Sequence, residues 1–390
     1  MDFGEFVAIR RDLHAHPELA FHETRTAGIV QSKLEALGIT THCGIGGTGV
    51  VGVVKMGTAP RAIMLRADMD ALPMQERNLF SHRSTNENVM HGCGHDGHTA
   101  ILLAAAKLIV ESAQFDGTVY FVFQPAEENG NAGARTMIQD GLFTRFPADA
   151  IYGLHNWPGL PVGEFGLAKG PLMAGGARFA VEIVGKGGHG ALPHLSHDPV
   201  PAMTALMVGL PSIINRNVRA LDSAVLSITQ VAAGGASHNV IGDKARLGGT
   251  VRAFRPDVFD MIEARMRDMA SQTAAAYGCT ASISFDRSYP PLVNSTREAD
   301  MCCHVVSSLG VGRRMRMVDP VMGSEDFAFY LAERPGCYFF LGNGEGEHRV
   351  EGHGHGPCLL HNDTYDFNDA LIPVGAEFWR ALVEAELPRH

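Results

Sequence analysis

The sequence predicts an α/β protein in which a mainly parallel sheet domain is interrupted by an inserted unit of βαββαβ, ferredoxin-like order. Three observations carry that reading. Short apolar runs rich in β-branched residues alternate with amphipathic stretches along most of the chain. The texture changes near Ala177 and reverts after Tyr289. The 390 residues also exceed what one ordinary core accommodates, so at least two packed domains are expected.

Taken in order, apolar periodicity predicts an amphipathic helix over 3–13 and a second over 23–37. Strands are predicted over 50–55, 61–67, 118–123, 150–155 and 336–341. Between Met90 and Phe115 a glycine-rich turn leads into a helix over 99–110 that has no polar face, which implies burial against the sheet. The inserted unit reads as strand 178–184, helix 199–214, strands 224–232 and 244–254, helix 257–277 and strand 280–286. Residues 1–176 and 290–390 then form one discontinuous domain and 177–289 the insert. No internal repeat is visible.

Composition narrows the function classes. The chain is 45% hydrophobic and 19% charged with no low-complexity tract, which excludes an intrinsically disordered protein. A formal charge of -10, spread along the chain, favours neither a nucleic-acid nor an anionic-membrane surface, and leaves a small molecule or peptide as partner. No leader-like segment opens the sequence and no window reaches the roughly 18 apolar residues of a membrane span, so a cytoplasmic location is the default. Seven cysteines without framework spacing argue for reduced thiols.

In open α/β sheets ligands bind beyond the carboxyl ends of the strands, and those ends are polar here. The run 61–67 leads into Asp68-Met69-Asp70; next come His91-Gly92-Cys93-Gly94-His95-Asp96-Gly97-His98; 118–123 leads to Glu127-Glu128; 150–154 is followed by His155-Asn156; and Leu360-His361-Asn362 lies near the C-terminus. Cysteine, histidine and carboxylate are the ligands of catalytic divalent metals, and Gly94 permits the tight backbone between Cys93 and His95. In the pair Glu127-Glu128, strand alternation lets one carboxylate bind metal while the other moves a proton. A metal brings the pKa of its water from about 16 to about 7, so the set suits hydrolysis without a covalent intermediate.

Bland alternatives exist for each residue alone. A single cysteine is more often a small buried hydrophobe, and paired glutamates at a strand end are usually a solvated turn. Asp70 reads either as a helix cap or as the acid that orients a histidine ligand. His348, His353 and His355 lie in a glycine-rich stretch that reads as a flexible loop and are left out. His189 and Asn239 sit on glycine-rich turns of the insert, where a plain turn and a cap are the ordinary readings. No Gly-x-Ser-x-Gly elbow or Walker loop is present, and the glycine-rich stretch 44–49 precedes a strand instead of following one.

At these residues the sequence resembles the M20 metallopeptidase clan and, within it, the amidohydrolase subfamily of hippurate hydrolases, N-acyl-amino-acid amidohydrolases, auxin-conjugate hydrolases and N-acetyldiaminopimelate deacetylases. The likeness rests on Arg11-Asp12-Leu13-His14, Leu65-Arg66-Ala67-Asp68-Met69-Asp70, the Cys93 segment, Gln124-Pro125-Ala126-Glu127-Glu128, Gly323-Ser324-Glu325-Asp326-Phe327 and Tyr365-Asp366-Phe367-Asn368-Asp369. The resemblance implies a catalytic domain with an inserted lid and dimerisation domain. It implies Cys93, His95, Glu128, His155 and His361 as ligands of two divalent metal ions per subunit, with Cys93 bridging, and the residues' own reading adds Asp70 as a supporting acid. Zinc or manganese is favoured, with cobalt or nickel as alternatives. Glu127 is implied as the general base. His189 and Asn239 resemble lid residues that reach a neighbouring subunit's active site, so a homodimer or larger homo-oligomer is implied.

The function this predicts is hydrolysis of the amide of N-acetyl or N-benzoyl, hippurate-like, amino acids. A dipeptidase or aminopeptidase-like peptidase of the same clan is the nearest alternative. A non-catalytic metal- or acyl-amino-acid-binding protein is the more distant one, and a base such as Glu127 beside a metal ligand argues against it.

Overall fold

A computed structural model describes residues 2–130, 132–310 and 312–389, the side chain of Asn129 excepted. It divides into two compact units. One comprises the described residues of 1–172, 293–319 and 326–390, the other 173–292 with 320–325.

The first unit is built on an eight-stranded sheet. Its strands are β1 (Thr40–Ile45), β2 (Gly49–Met56), β3 (Ala62–Asp68), β4 (Gly117–Gln124), β5 (Ala150–Pro158) and β6 (Glu164–Leu167), with Arg314–Met317 and Gly336–Gly344. They lie in the order β1-β2-β4-β3-β5-(336–344)-β6-(314–317). Four pairings are parallel and three antiparallel, so the sheet is mixed, with parallel strands at its centre. Every residue of β3 is buried, as expected of a central parallel strand covered on both faces.

Helices α1 (Gly4–Ala15), α2 (Thr24–Ala36) and α3 (His95–Ser112) share one apolar core with the C-terminal helix Leu371–Glu386. The all-round apolar stretch predicted over 99–110 is the body of α3, buried without interruption from His95 to Ala106. It starts a full turn earlier than predicted, because polar residues open it. Gly375 makes the close approach of the C-terminal helix possible: a Cβ there would come within 2.7 Å of Ile101.

The second unit holds a four-stranded antiparallel sheet in the order (Ala224–Ala233)-(Lys244–Ala253)-(Gly175–Val184)-(Thr280–Tyr289), backed by helices Pro199–Gly209, Ser212–Asn217 and Pro256–Ala276. Its chain order is the βαββαβ split. The single helix predicted over 199–214 is broken where Pro211, lacking an N–H, precedes the second piece. All seven cysteines are free. Among the described residues no helix is long and apolar enough to cross a membrane.

A buried charge cluster ties α1 to the start of α3. Arg10 Nε lies 3.0 Å from Asp96 Oδ2, and its guanidinium also pairs with Asp366. His14 donates from Nδ1 to Asp96 at 2.8 Å and from Nε2 to Glu76 at 3.2 Å. Burial alone would lower the His14 pKa, but the two carboxylates override it and raise it to about 9. Because the folded value exceeds the unfolded one, His14 stabilises the protein fully below about pH 6.5, and that contribution is lost as pH rises through 9. The stability gap between wild type and His14→Gln is expected to shrink by about 3 kcal/mol between pH 6 and pH 10 in urea unfolding; a gap that does not change with pH would refute the cationic state.

Candidate metal centre

The residues that could hold metal arrive from four places in the first unit. β5 carries His155 within the strand, not at its end. Cys93 and His95 flank Gly94, which caps α3 in the left-handed region at φ +92°. That conformation turns the chain so that residues two apart can face one site. A Cβ at Gly94 would come within 2.6 Å of Tyr365 Oη and collide with Asn156 Oδ1 as well. Glu127 and Glu128 follow β4, which ends at Gln124. They lie on a turn through Ala126 at φ +55° instead of on the pleat, so the strand alternation expected for this pair does not set their directions. His361 comes from the C-terminal loop, itself at φ +59°, with its N–H donating to Gly92 O at 2.8 Å.

These side chains converge. Donor atoms of Cys93, His95 and His155 lie within 4.8 Å of one another, as do those of Cys93, Glu128 and His361, and those of His95, Glu127 and Glu128. Cys93 belongs to two of the three groups. Its Sγ is 3.3 Å from His155 Nε2, and Glu128 Oε1 is 3.2 Å from His361 Nε2 and 4.0 Å from His95 Nε2.

Hydrogen bonds set the ring states. His155 Nδ1 donates to Asn156 O at 2.7 Å, which leaves Nε2 as the electron-pair donor facing Cys93. His95 Nδ1 donates to Asp70 Oδ1 at 3.2 Å, and its Nε2 is buried with no hydrogen-bond partner. Asp70 also accepts the backbone N–H of Glu127 at 3.1 Å and of Glu128 at 3.0 Å. It joins a histidine to the two-glutamate turn.

The electrostatics of the cluster suit positive charge. Burial pushes the Cys93 thiol well up, and Glu128 and Glu127 add to the shift. Burial lowers His155 far below its ordinary value, with His98 contributing. For His95, burial opposes protonation, but Asp68, Asp70 and Glu128 outweigh it and raise the pKa to about 10. Burial would raise Glu128, yet the bond from His361 and the charge of His95 keep it low. An orphaned histidine nitrogen, a thiol amid carboxylates and mixed S, N and O donors fit a divalent cation, which would displace these protons.

Sequence reasoning missed the layer behind this set. His98 Nδ1 donates to Asp68 Oδ1 at 2.6 Å, while Asp68 Oδ2 accepts from Arg66 Nη1 at 2.6 Å. Arg66 reaches on to Gln124 Oε1 at 2.7 Å and Asp326 Oδ1 at 3.0 Å. The polar Asp68 at the end of an apolar run was the available signal. His353, set aside as part of a flexible loop, places Nε2 3.0 Å from Asp366 Oδ2 with its ring against Phe80.

His189 and Asn239 lie in the second unit, both exposed. They are neighbours on a two-stranded ribbon: Gly190 N donates to Asn239 O at 2.8 Å, and His189 pairs with Val240.

Gly94→Ala is expected to cost roughly 2–4 kcal/mol, the sum of left-handed strain and overpacking. Gly159→Ala, at φ +89° in open space, carries only the strain. Equal losses in thermal or urea unfolding would show that the contacts above Gly94 do not matter.

Comparison with known proteins gives the family. The profile of Peptidase family M20/M25/M40 matches residues 64–385. A hippurate hydrolase of Campylobacter jejuni is 40% identical over 380 residues, covering 97% of this chain and 96% of that one. An N-acetylcysteine deacetylase of Bacillus subtilis is 39% identical, covering 96% and 95%. Among solved structures, the Bacillus subtilis YxeP protein, described as a dinuclear metal binding peptidase from the M20 family, superposes with a TM-score of 0.84 at 33% identity, covering 98% of this chain and 97% of that one. The chain belongs to Peptidase family M20/M25/M40, within its amidohydrolase subfamily.

Proposed function

We propose that this chain hydrolyses the amide bond of N-acyl amino acids, giving a carboxylate and a free amino acid, with two divalent ions held by Cys93, His95, Glu128, His155 and His361. The observation that carries the reading is the convergence of these donors, with Cys93 common to two groups and His95 Nε2 buried without a hydrogen-bond partner. Bound there, divalent cations would polarise the scissile carbonyl and bring the pKa of water to about 7. A thiolate ligand favours zinc; manganese, cobalt and nickel also suit the nitrogen and oxygen donors.

The chain's own residues do the rest. Glu127 takes a proton from the attacking water and passes it to the departing amine nitrogen, so the amine leaves neutral and the acyl group remains as a carboxylic acid, which then loses its proton to solvent as the carboxylate product. Asp70 holds the Glu127 and Glu128 N–H groups and the His95 ring in one arrangement, which keeps base and ligands in register. The relatives' names include both a hippurate hydrolase and an N-acetylcysteine deacetylase, which supports benzoyl and acetyl groups as the acyl classes to test. Seven free thiols support a cytoplasmic location.

A homodimer is part of the same reading. Strand Ala224–Ala233 forms an edge of the second unit's sheet and exposes Val225 and Val231, while Val208 and Leu221 are 78% and 87% exposed. Such an edge is a template for pairing. His189 and Asn239 would then serve the neighbouring subunit's site, gripping the scissile carbonyl and the product carboxylate.

Glycine release from hippurate and amino-acid release from N-acetylmethionine should proceed in the metal-loaded protein, with an unblocked dipeptide turned over poorly. Glu127→Gln should keep its metal and lose roughly 10²–10⁴-fold in kcat; a metal-loaded variant that works normally would remove Glu127 as the base, and preference for the dipeptide would favour a peptidase. Mixing Glu127→Gln with His189→Ala subunits should restore part of the activity missing from either alone. No restoration in a confirmed mixed dimer would count against a shared site.

A further inference from the structure

The turn that carries Glu127 is held from two sides. Three successive backbone N–H groups end on buried carboxylate oxygens: those of Glu127 and Glu128 on Asp70, and that of Ala126 on Glu23 Oε1 at 2.9 Å. Glu23 is fully buried and arrives from just before α2, over a hundred residues away in sequence. The same Oε1 accepts the Phe21 N–H at 3.0 Å, and Oε2 accepts the Thr48 hydroxyl at 2.5 Å. Among the described hydrogen bonds and ion pairs its side chain has no cationic partner.

The two amides that share Oε1 have one property in common. Phe21 at φ +63° and Ala126 at φ +55° are both non-glycine residues in the left-handed region, where the Cβ crowds the carbonyl oxygen. Such a conformation persists only where the surroundings enforce it. At Ala126 the enforcement comes from Glu23 on the N–H and from Gly133, whose N–H donates to Ala126 O at 2.9 Å.

We infer that Glu23 is a positioning residue for the catalytic base: by fixing Ala126 in its left-handed conformation, it sets the direction in which the next residue, Glu127, presents its carboxylate. The placement separates base from ligands. Asp70 is bonded to His95 as well as to the turn, so its loss disturbs metal binding and base together. Glu23 makes no described hydrogen bond to Cys93, His95, Glu128, His155 or His361, and the Glu128 N–H stays on Asp70 without it.

Glu23→Ala should therefore retain its full metal content and near-normal KM while kcat falls by about 10²-fold, the usual consequence of a misplacement near 1 Å. Two rescues distinguish this from general damage. Glu23→Gln keeps an oxygen acceptor for both N–H groups and should stay within a few-fold of wild type. Ala126→Gly added to Glu23→Ala should recover most of the lost kcat, because glycine adopts positive φ without the Cβ penalty. If Glu23→Ala does not fold, Glu23→Met fills the same volume without the acceptor and serves in its place. Wild-type kcat in the Ala or Met variant, a loss that follows metal content, or a loss that neither rescue relieves would overturn the inference.

The inference rests on Glu127 as the base, and Glu127→Gln run in parallel keeps the two apart. An inactive Glu127→Gln beside fully active Glu23 variants defeats the positioning role alone; an active Glu127→Gln defeats both.

Discussion

One carboxylate organises the site. Asp70 accepts the Nδ1–H of His95 and the backbone N–H groups of Glu127 and Glu128, so a single side chain beyond β3 fixes a ring on α3 and the turn beyond β4. Neutral partners would hold these elements less firmly, because hydrogen bonds to an ionised acceptor are roughly twice as strong as those between neutral groups. The central parallel strands make the junction possible. β3 and β4 are adjacent and in register from Ala62 with Thr118 to Asp68 with Gln124, which brings Asp70 and the glutamate turn to the same edge.

That junction sits among buried acids beside the candidate ligands. Asp68, Asp70, Glu127 and Glu128 are all buried around His95. Arg66 answers Asp68 and Asp326, and Arg10 answers Asp96 and Asp366. His95 and Cys93 are left to respond, the ring by holding a proton to about pH 10 and the thiol by refusing to ionise. Burying charge costs several kcal/mol per ion. A divalent cation bound among these groups would lower that cost.

Much of this was legible in the sequence, for local reasons. Ligand types cluster at the ends of apolar runs, and Gly94 between Cys93 and His95 signals a tight turn that the φ of +92° bears out. The apolar stretch 99–110 announced a buried helix. What could not be read depends on long-range pairing. Glu23 finds Ala126 across 103 positions, Arg66 finds Asp326 across 260 and Arg10 finds Asp366 across 356; nothing in the local pattern of either partner marks the other. Strands of four residues, Glu164–Leu167 and Arg314–Met317, are too short for periodicity to declare. The direction of the Glu127-Glu128 pair was misread for a related reason, since a left-handed alanine replaces the pleat that alternation assumes.

Cys93 is common to both halves of the candidate ligand set. Anomalous diffraction from crystals of the zinc-loaded protein tests that directly. Two metal peaks are expected, both within bonding distance of Cys93 Sγ, with His95, His155, Glu128 and His361 completing the two coordination shells. A single peak, or two peaks of which either leaves Cys93 Sγ unligated, would contradict it.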